Sequence, residues 1–454
     1  MTDNHHSCNN MKVLKFGGTS VGSAERIRNV ARLISGRGQN IVVLSAMSGT
    51  TNTLVEISDY LYKHNVNGAK EIINDLERKY RQVVALLFTD VEVRMEADEE
   101  VAAIFSLLRS LARDSFTSFE EREILAQGEL LSTKLMHLYL RESGINSGFL
   151  PALEYMRTDK NGEADMDYIR VHLRALLEEN PDADLYITQG YICRNAYGET
   201  DNLRRGGSDL TASLIGAALM AKEIEIWTDI DGMHNNDPRF VEGTTPVAEL
   251  HFDEAAGLAY FGAKILHPTC VLPAKVNNIP VRLLNTMEPS ARGTLIHNVD
   301  TSGSIKAVAA KDDIIAIKIK SSRMMLASGF MHRVFEIFDN YKRPIDMIAT
   351  SEVGVSVTVD SPLKLEHIVD ELREIGTVTI DRDMVIICVV GDLEWHNKGF
   401  EAEALAALHD IPVRMISYGG SNYNISFLVS KEDKIPALRA LQKRLFGNHD
   451  NIAD

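Results

Sequence analysis

The chain has 454 residues, 45% apolar and 25% charged, a soluble globular composition and enough length for about two to four domains with cores of their own. Its 48 basic and 64 acidic residues give a net charge of −16, which argues against a non-specific nucleic-acid surface or an anionic-membrane surface, since both need a basic face. No apolar run approaches the ~18 residues of a spanning helix, and the polar start Met1–Asn10 has the pattern of neither a signal nor a transit peptide, so the expectation is a cytoplasmic protein with no nucleic-acid or membrane partner.

Residues 1–10 read as a disordered tail in which His5, His6 and Cys8 could chelate a metal only adventitiously; Met11, where ordered pattern begins, is a candidate internal start. The four cysteines are scattered without Cys-x-x-Cys or zinc-like histidine spacing, so structural roles and no metal site are expected. From Met11 to about Ile296, β-rich runs at Lys12–Phe16, Ile41–Ala46, Leu185–Gln189, Glu223–Trp227 and Val281–Leu284 alternate with helical periodicity. That alternation predicts an α/β domain with a mostly parallel sheet sandwiched by helices. A long charged helical stretch, about 52–141, reads as an insertion between strands, with Glu120–Tyr139 as its best-defined helix.

After Gly303 the pattern changes. Strand-like Ile314–Lys320, a helix from Gly329-Phe330 to about Asn340, a short strand Ile345–Ile348 and an alternating Val353–Val359 are followed by a similar series. In that second series Met384–Val390, a helix from Gly399-Phe400 to His409, Val413–Ile416 and Asn424–Val429 repeat the order. Two ferredoxin-like βαββαβ units are expected, over 304–380 and 381–454, behind a first domain at 11–303.

Two segments carry the chemistry. Lys15-Phe16-Gly17-Gly18-Thr19-Ser20 directly follows the first strand. Paired glycines let backbone amides approach an anion, the following helix adds its positive end, and Lys15 brings a point charge to phosphates. The spacing is neither a Walker loop nor a dinucleotide fingerprint. Arg204-Arg205-Gly206-Gly207-Ser208-Asp209 precedes a helix expected at Leu210–Ala221. Ser208 could serve as its N-cap, but two arginines and two glycines suggest a receiver for an anionic group.

Lys-Phe-Gly-Gly-Thr-Ser at 15–20, Arg-Gly-Gly-Ser-Asp at 205–209 and Phe-Gly-Ala-Lys-Ile-Leu-His-Pro at 261–268 resemble the signatures of aspartate kinases, and the repeat resembles their paired ACT domains. The resemblance spans the chain from Met11 and implies an amino acid kinase fold in the monofunctional form. It implies transfer of the γ-phosphoryl of ATP, with Mg²⁺ carried on the nucleotide, to the side-chain carboxylate of aspartate. That is the entry step to lysine, threonine and methionine synthesis by the diaminopimelate route. It implies catalytic roles for Lys15 and Asp209, and substrate contacts at Ser45, Thr51, Glu129 (to the ammonium), Arg205 (to the α-carboxylate) and Ser208. Nucleotide contacts are implied at Lys15, Gly17, Gly18, Thr228, Asp229, His234, Arg239 and Lys264. Three positions depart from the family pattern: Arg204 stands where glycine is common, Asp201-Asn202 replaces Thr-Thr, and His234 replaces an aromatic.

The resemblance also implies feedback by an amino acid, lysine first and threonine second. Met325, Ser328, Gly329, Phe330 and Met331 resemble the effector loop, facing Ile345, Asp346, Thr350, Ser351 and Glu352. A homodimer through the ACT domains is implied, with further pairing into tetramers left open. The rivals are another amino acid kinase (for N-acetylglutamate, glutamate or uridylate) and a non-catalytic amino-acid sensor. The pairing of Glu129 with Arg205 speaks for a free amino acid, and retention of Lys15, Asp209 and Lys264 speaks against a sensor.

Overall fold

The computed structural model describes residues 11–113, 115–204, 206–262, 267–299, 304–321 and 329–447. These form two compact units, one holding residues up to 232 and 265–298, the other 233–264 and 299 onward. Among the described residues no helix is long and apolar enough to cross a membrane.

In the first unit, β1 (Lys12–Phe16), α1 (Ala24–Ile34) and β2 (Asn40–Leu44) are followed by four helices, α2 (Thr50–Tyr62), α3 (Val66–Leu87), α4 (Val91–Leu111) and α5 (Ser118–Glu142). Then come β3 (Ser147–Leu150), α6 (Ala152–Tyr155), α7 (Met166–Glu179), β4 (Leu185–Gln189), β5 (Ile192–Arg194), β6 (Thr200–Asn202), α8 (Gly207–Leu219) and β7 (Glu223–Thr228). Within this unit the main sheet runs β3-β4-β2-β1-β7 and continues through β9 (Val281–Asn285) to β10 (Thr294–His297). The pairs β3–β4, β4–β2, β2–β1, β1–β7 and β7–β9 are parallel, and the β9–β10 pair is antiparallel. Every residue of β2 and of β4 is buried, as expected of parallel strands covered on both faces.

The expected insertion appears as α2–α5, whose apolar faces share one core with β1, β2 and β4 through Leu14, Val42, Ile73, Tyr80, Phe105, Leu135 and Ile187. Helix α5 begins at a capping box, with the Thr117 hydroxyl on the helix amides and Glu120 returning to the Thr117 amide, so its start at Ser118 is locally encoded. Cys193, Cys270 and Cys388 are buried free thiols.

The second unit contains β8 (Glu249–His251) and α9 (Phe252–Tyr260), then β11 (Ile305–Lys320), α11 (Phe330–Asn340), β12 (Ile348–Ser351), β13 (Gly354–Val359), α12 (Leu365–Ile375), β14 (Thr377–Gly391), α13 (Phe400–Ala407), β15 (Met415–Ser417), β16 (Asn424–Ser430) and α14 (Lys434–Phe446). The remaining helix, α10 (Pro268–Val276), belongs to the first unit. The strands from β11 onward form a six-stranded sheet in the order β12-β13-β11-β14-β16-β15. Strands β11 and β14 are long enough to serve both repeats. Ile315–Lys320 of β11 pairs with β13, Met384–Val390 of β14 pairs with β16, and β11 and β14 pair with each other along their lengths. The ribbon changes register between Lys311 and Ile314, where Asp313 and Asp383 both take left-handed backbone conformations, a bulge that lets one ribbon serve two differently directed cores.

Several sequence-based boundaries shift. The strand expected at Ile314–Lys320 starts at Ile305, and 380/381 falls inside β14, because the polar Asp312-Asp313 and Asp381-Arg382-Asp383 segments belong to the bulged ribbon and not to a linker. The strands expected at Ile345–Ile348 and Val413–Ile416 begin later, at Ile348 and Met415. Asp346 and Arg414 precede them, each held by a backbone bond to the neighbouring strand.

Candidate active site

Carboxyl ends of parallel strands on either side of a switch in connection direction form the crevice that binds ligands in open α/β sheets. Here β1 lies between β2 and β7, and the segments leaving β1, β2 and β4 meet the start of α8. They enclose a cavity of about 430 Å³ lined by Lys15, Ser45, Thr51, Glu129, Tyr191, Arg204, Gly206, Gly207, Ser208 and Asp209.

Lys15 leaves β1 toward this cavity and its Nζ lies 2.6 Å from Asp209 Oδ1 in the first turn of α8. The loop beyond Lys15 packs against the loop beyond β2: Ser45 N–H donates to the Phe16 carbonyl and Ser48 N–H to that of Gly18. A Cβ at Gly18 would lie 2.7 Å from the Ala46 carbonyl oxygen, so only glycine permits this approach. The two amides expected to meet phosphate are not equivalent. Gly17 N–H already donates to the Trp227 carbonyl at 3.3 Å, whereas the amides of Gly18 and Thr19 have no acceptor among the described residues. The amides left free are therefore one residue further along than the glycine doublet suggests.

Glu129 sits in α5 and is 3% exposed. The helix passes so close to the β2 loop that a Cβ at Gly128 would stand 2.7 Å from the Ala46 side chain. That approach brings Glu129 Oε1 to 3.2 Å from the Ala46 amide, which donates to it. Its other oxygen, Oε2, is buried without a hydrogen-bond partner among the described residues. Burial, only partly offset by the Ala46 amide, pushes the Glu129 carboxyl up to about 8. The backbone around it is fixed: Thr133 donates its hydroxyl to the Glu129 carbonyl, Gln189 donates to Thr133, and Ser132 donates to the Ser45 carbonyl.

Ser208 is not the N-cap of α8. Gly206, at φ 74°, holds that place without a side-chain cap, the helix runs Gly207–Leu219, and the Ser45 hydroxyl donates to Ser208 Oγ at 2.9 Å. Left-handed Gly206 is also crowded, since a Cβ there would meet His267 at 2.6 Å and Cys270 Sγ at 2.9 Å. Thr51 lies in the first turn of α2, which is entered through Gly49 at φ 83°. Tyr191 was not anticipated as a site residue, and Arg204 was read only as part of an anion-receiving loop. Both take positive φ, 68° and 60°, uncommon for such side chains, and a tyrosine directly after Gln189-Gly190 at a strand's carboxyl end is the signal that could have marked the first. Burial raises the Tyr191 hydroxyl's pKa, with nearby Glu129 adding to the effect.

Among the remaining nucleotide positions, Thr228 ends β7 in the first unit and donates to Asp229 Oδ1 at 3.1 Å. In the second unit His234 is bonded through Nδ1 to the Thr244 hydroxyl at 3.1 Å and Arg239 pairs with Asp237 at 2.6 Å. Arg205, Lys264, Met325 and Ser328 lie outside the described residues.

Of the proposed effector positions in the second unit, Gly329 precedes α11 at φ 91°. Phe330 is buried and Met331 packs partly buried against the same core. Ile345 also packs against that core, while Thr350, Ser351 and Glu352 are exposed. Asp346 is buried, not open: its side chain accepts from the Tyr260 hydroxyl and from Lys311 Nζ.

A family model described as the amino acid kinase family matches residues 10–285, and an ACT domain model matches residues 387–445. Aspartokinase 1, chloroplastic, of Arabidopsis thaliana is 35% identical over 463 residues, covering 96% of this chain and 80% of that protein. Lysine-sensitive aspartokinase 3 of Escherichia coli is 32% identical, covering 96% and 99%. The crystal structure of E. coli aspartokinase III in complex with aspartate and ADP superposes with a TM-score of 0.82 at 31% identity, covering 96% of this chain and all of that one. With the parallel-sheet crevice and these full-length relatives, the chain belongs to the aspartokinases within the amino acid kinase family. It is an ATP-dependent kinase acting on aspartate.

Proposed function

We propose that the protein transfers the γ-phosphoryl group of MgATP to the side-chain carboxylate of L-aspartate, using the cavity between Lys15, Glu129 and Asp209 to hold the acceptor. One carboxylate oxygen of aspartate forms the new bond to Pγ as the bond from Pγ to the β,γ-bridging oxygen breaks, giving 4-phospho-L-aspartate and ADP. The acceptor is already ionised at neutral pH, so no general base is required; positioning and charge neutralisation supply the rate.

The observation that carries this reading is the buried Oε2 of Glu129 in the cavity wall, without a partner among the described residues. An unmatched buried carboxylate is costly, and a substrate ammonium resolves the cost with a charge-assisted hydrogen bond. Asp209 orients Lys15, which neutralises charge on the transferring phosphoryl group. The free amides of Gly18 and Thr19 hold phosphate oxygens, Ser45 and Ser208 border the acceptor, and Arg205 grips the α-carboxylate. Mg²⁺ would be held by nucleotide phosphates and water, supplying charge neutralisation between them; among the described residues no three acidic, histidine or cysteine side chains converge on one point.

The E. coli relative is named as lysine-sensitive, and lysine is the effector we infer for this chain, acting through the ACT region of a homodimer. The reaction is the entry to lysine, threonine and methionine synthesis. Aspartate-dependent ADP formation, measured beside glutamate and N-acetylglutamate, tests the reading; ADP release with either of those and none with aspartate overturns it.

A further inference from the structure

We propose that Thr286 is a positioning residue for the nucleotide: its hydroxyl, bonded to that of Ser20, sets the loop after β1 so that the Gly18 and Thr19 amides face phosphate; this rests on the reading that those amides hold it. Ser20 closes the Lys-Phe-Gly-Gly-Thr-Ser motif, yet it is 0% exposed, so its hydroxyl is not offered to a ligand. It lies instead 2.7 Å from the Thr286 hydroxyl, on a residue 6% exposed and 266 positions away in the chain. Thr286 directly follows β9 and hangs from the neighbouring strand, its N–H donating to the Thr228 carbonyl at 2.8 Å.

The other bonds of the loop show what this link completes. Gly17 N–H donates to the Trp227 carbonyl of β7, the Gly18 carbonyl accepts from Ser48 N–H, and the Thr19 carbonyl accepts from the Arg26 guanidinium of α1. Ser20 N–H turns back to the Gly17 carbonyl at 2.9 Å. Each bond ties a group of the loop to the protein, and the amides left over among the described residues are those of Gly18 and Thr19. The Ser20 hydroxyl adds the anchor to the end of β9. Through Thr286 and Thr228 the loop is thereby indexed to the carboxyl ends of β7 and β9, the rim on which nucleotide contacts at Thr228 and Asp229 are expected. Donors aimed at phosphate act through being held before the ligand arrives, and a displacement of about 1 Å in such a group can cost ~10²-fold. A hydroxyl pair that only fills its own bonds behaves differently: replacing both members by apolar groups is nearly neutral. A positioning pair leaves a deficit that the double replacement does not repair.

The test uses the full chain, with Thr286→Val, Ser20→Ala, the two combined, and Thr286→Ser, and measures KM for MgATP and for aspartate together with thermal midpoints. Each single apolar variant should raise the MgATP KM by about tenfold, the loss expected for one charge-assisted hydrogen bond, and leave the aspartate KM unchanged. The double variant should melt close to the wild type and still keep the raised MgATP KM. Thr286→Ser, which retains the hydroxyl, should stay near the wild type in both. An unchanged MgATP KM in Thr286→Val, or an aspartate KM raised as much, overturns the assignment. So does a Thr286→Ser loss as large as that of Thr286→Val, or a double variant whose MgATP KM returns to the wild-type value with its melting temperature. Gly18→Ala is measured beside them. A MgATP KM unmoved there fails the reading that the amides hold phosphate, whereas one raised there and unmoved in Thr286→Val fails the Thr286 assignment alone.

Discussion

Lys311 Nζ lies 2.7 Å from Asp346 Oδ1, and the carboxylate side chain is only 2% exposed. Lys311 also reaches Asp360 at 3.1 Å and stands 4.4 Å over the ring of Tyr260, whose hydroxyl donates to the same Asp346 oxygen. The second oxygen, Oδ2, is buried without a partner among the described residues. The chain thus presents its own lysine to the carboxylate that the family resemblance offers to an effector, and ties α9 to the turn before β12 in doing so.

Breaking a buried ion pair by removing one partner strands the other, at a cost of about 3 kcal/mol. Lys311→Met should accordingly lower the melting temperature. If an effector ammonium can use Asp346, free lysine should then restore part of the loss and inhibit at lower concentration than in the wild type. Thermal melts and inhibition curves with and without lysine check both. A variant that melts lower but ignores lysine would remove Asp346 from effector binding.

Lys15→Ala should leave the fold intact and reduce kcat by about 10²-fold or more, since one preorganised electrostatic contact to developing charge supplies roughly 3 kcal/mol. Its partner is 2.6 Å away, so Asp209→Asn should show a smaller loss of the same kind. Steady-state kinetics at saturating substrates, with circular dichroism for the fold, decide this; near-normal turnover of Lys15→Ala removes it from the mechanism.

Glu129 makes a prediction in protons. Burial holds its carboxyl near 8 in the free protein, so at pH 7 it is mostly protonated, and pairing with a substrate ammonium must ionise it. Aspartate binding at pH 7 should release close to one proton, seen as a buffer-dependent heat in titration calorimetry and absent in Glu129→Gln. The stability linkage has the opposite sense from an ordinary salt-bridged acid. The folded state binds the extra proton between the unfolded value, 4.5, and about 8, so this group's contribution is full below 4.5 and declines as pH rises through that window. Glu129→Gln should flatten that slope, and Glu129→Ala should mainly raise the aspartate KM.

Gly18→Ala tests the loop geometry. Its new methyl would stand 2.7 Å from the Ala46 carbonyl oxygen, and neither partner is a flexible side chain. One loop must move, at about 1–3 kcal/mol, and with it the Gly18 and Thr19 amides. The MgATP KM should rise more than the aspartate KM; equal effects on both would mean that the loop serves the whole cavity and not phosphate alone.

Local pattern made the catalytic half of this protein readable. The runs Lys12–Phe16 and Leu185–Gln189 are strands with those bounds, because short β-rich runs between turn signals have few other uses. Lys15 and Asp209, nearly two hundred residues apart in the chain, could be joined only through a family motif, and the structure does bring them together. What pattern could not supply was long-range geometry. Nothing local shows that Gly17's amide is spent on Trp227, that Gly206 instead of Ser208 begins α8, or that Tyr191 and Arg204 face the cavity. Asp346 is the clearest case: an acidic residue beside a strand reads as a solvated ligand partner until Tyr260 and Lys311 arrive from distant segments.

The shared ribbon of β11 and β14 sets how the C-terminal half can be taken apart. A cut at 380/381 would leave Thr377–Ile380 as a stub on one fragment and expose on the other a row of backbone donors and acceptors now satisfied by β11. Neither fragment would keep a closed hydrogen-bond ladder, and such open edges invite aggregation. The two repeats are therefore not interchangeable cassettes: they should melt in a single cooperative step, resist being grafted singly onto another enzyme, and pass any distortion of one half directly into the other along two unbroken strands.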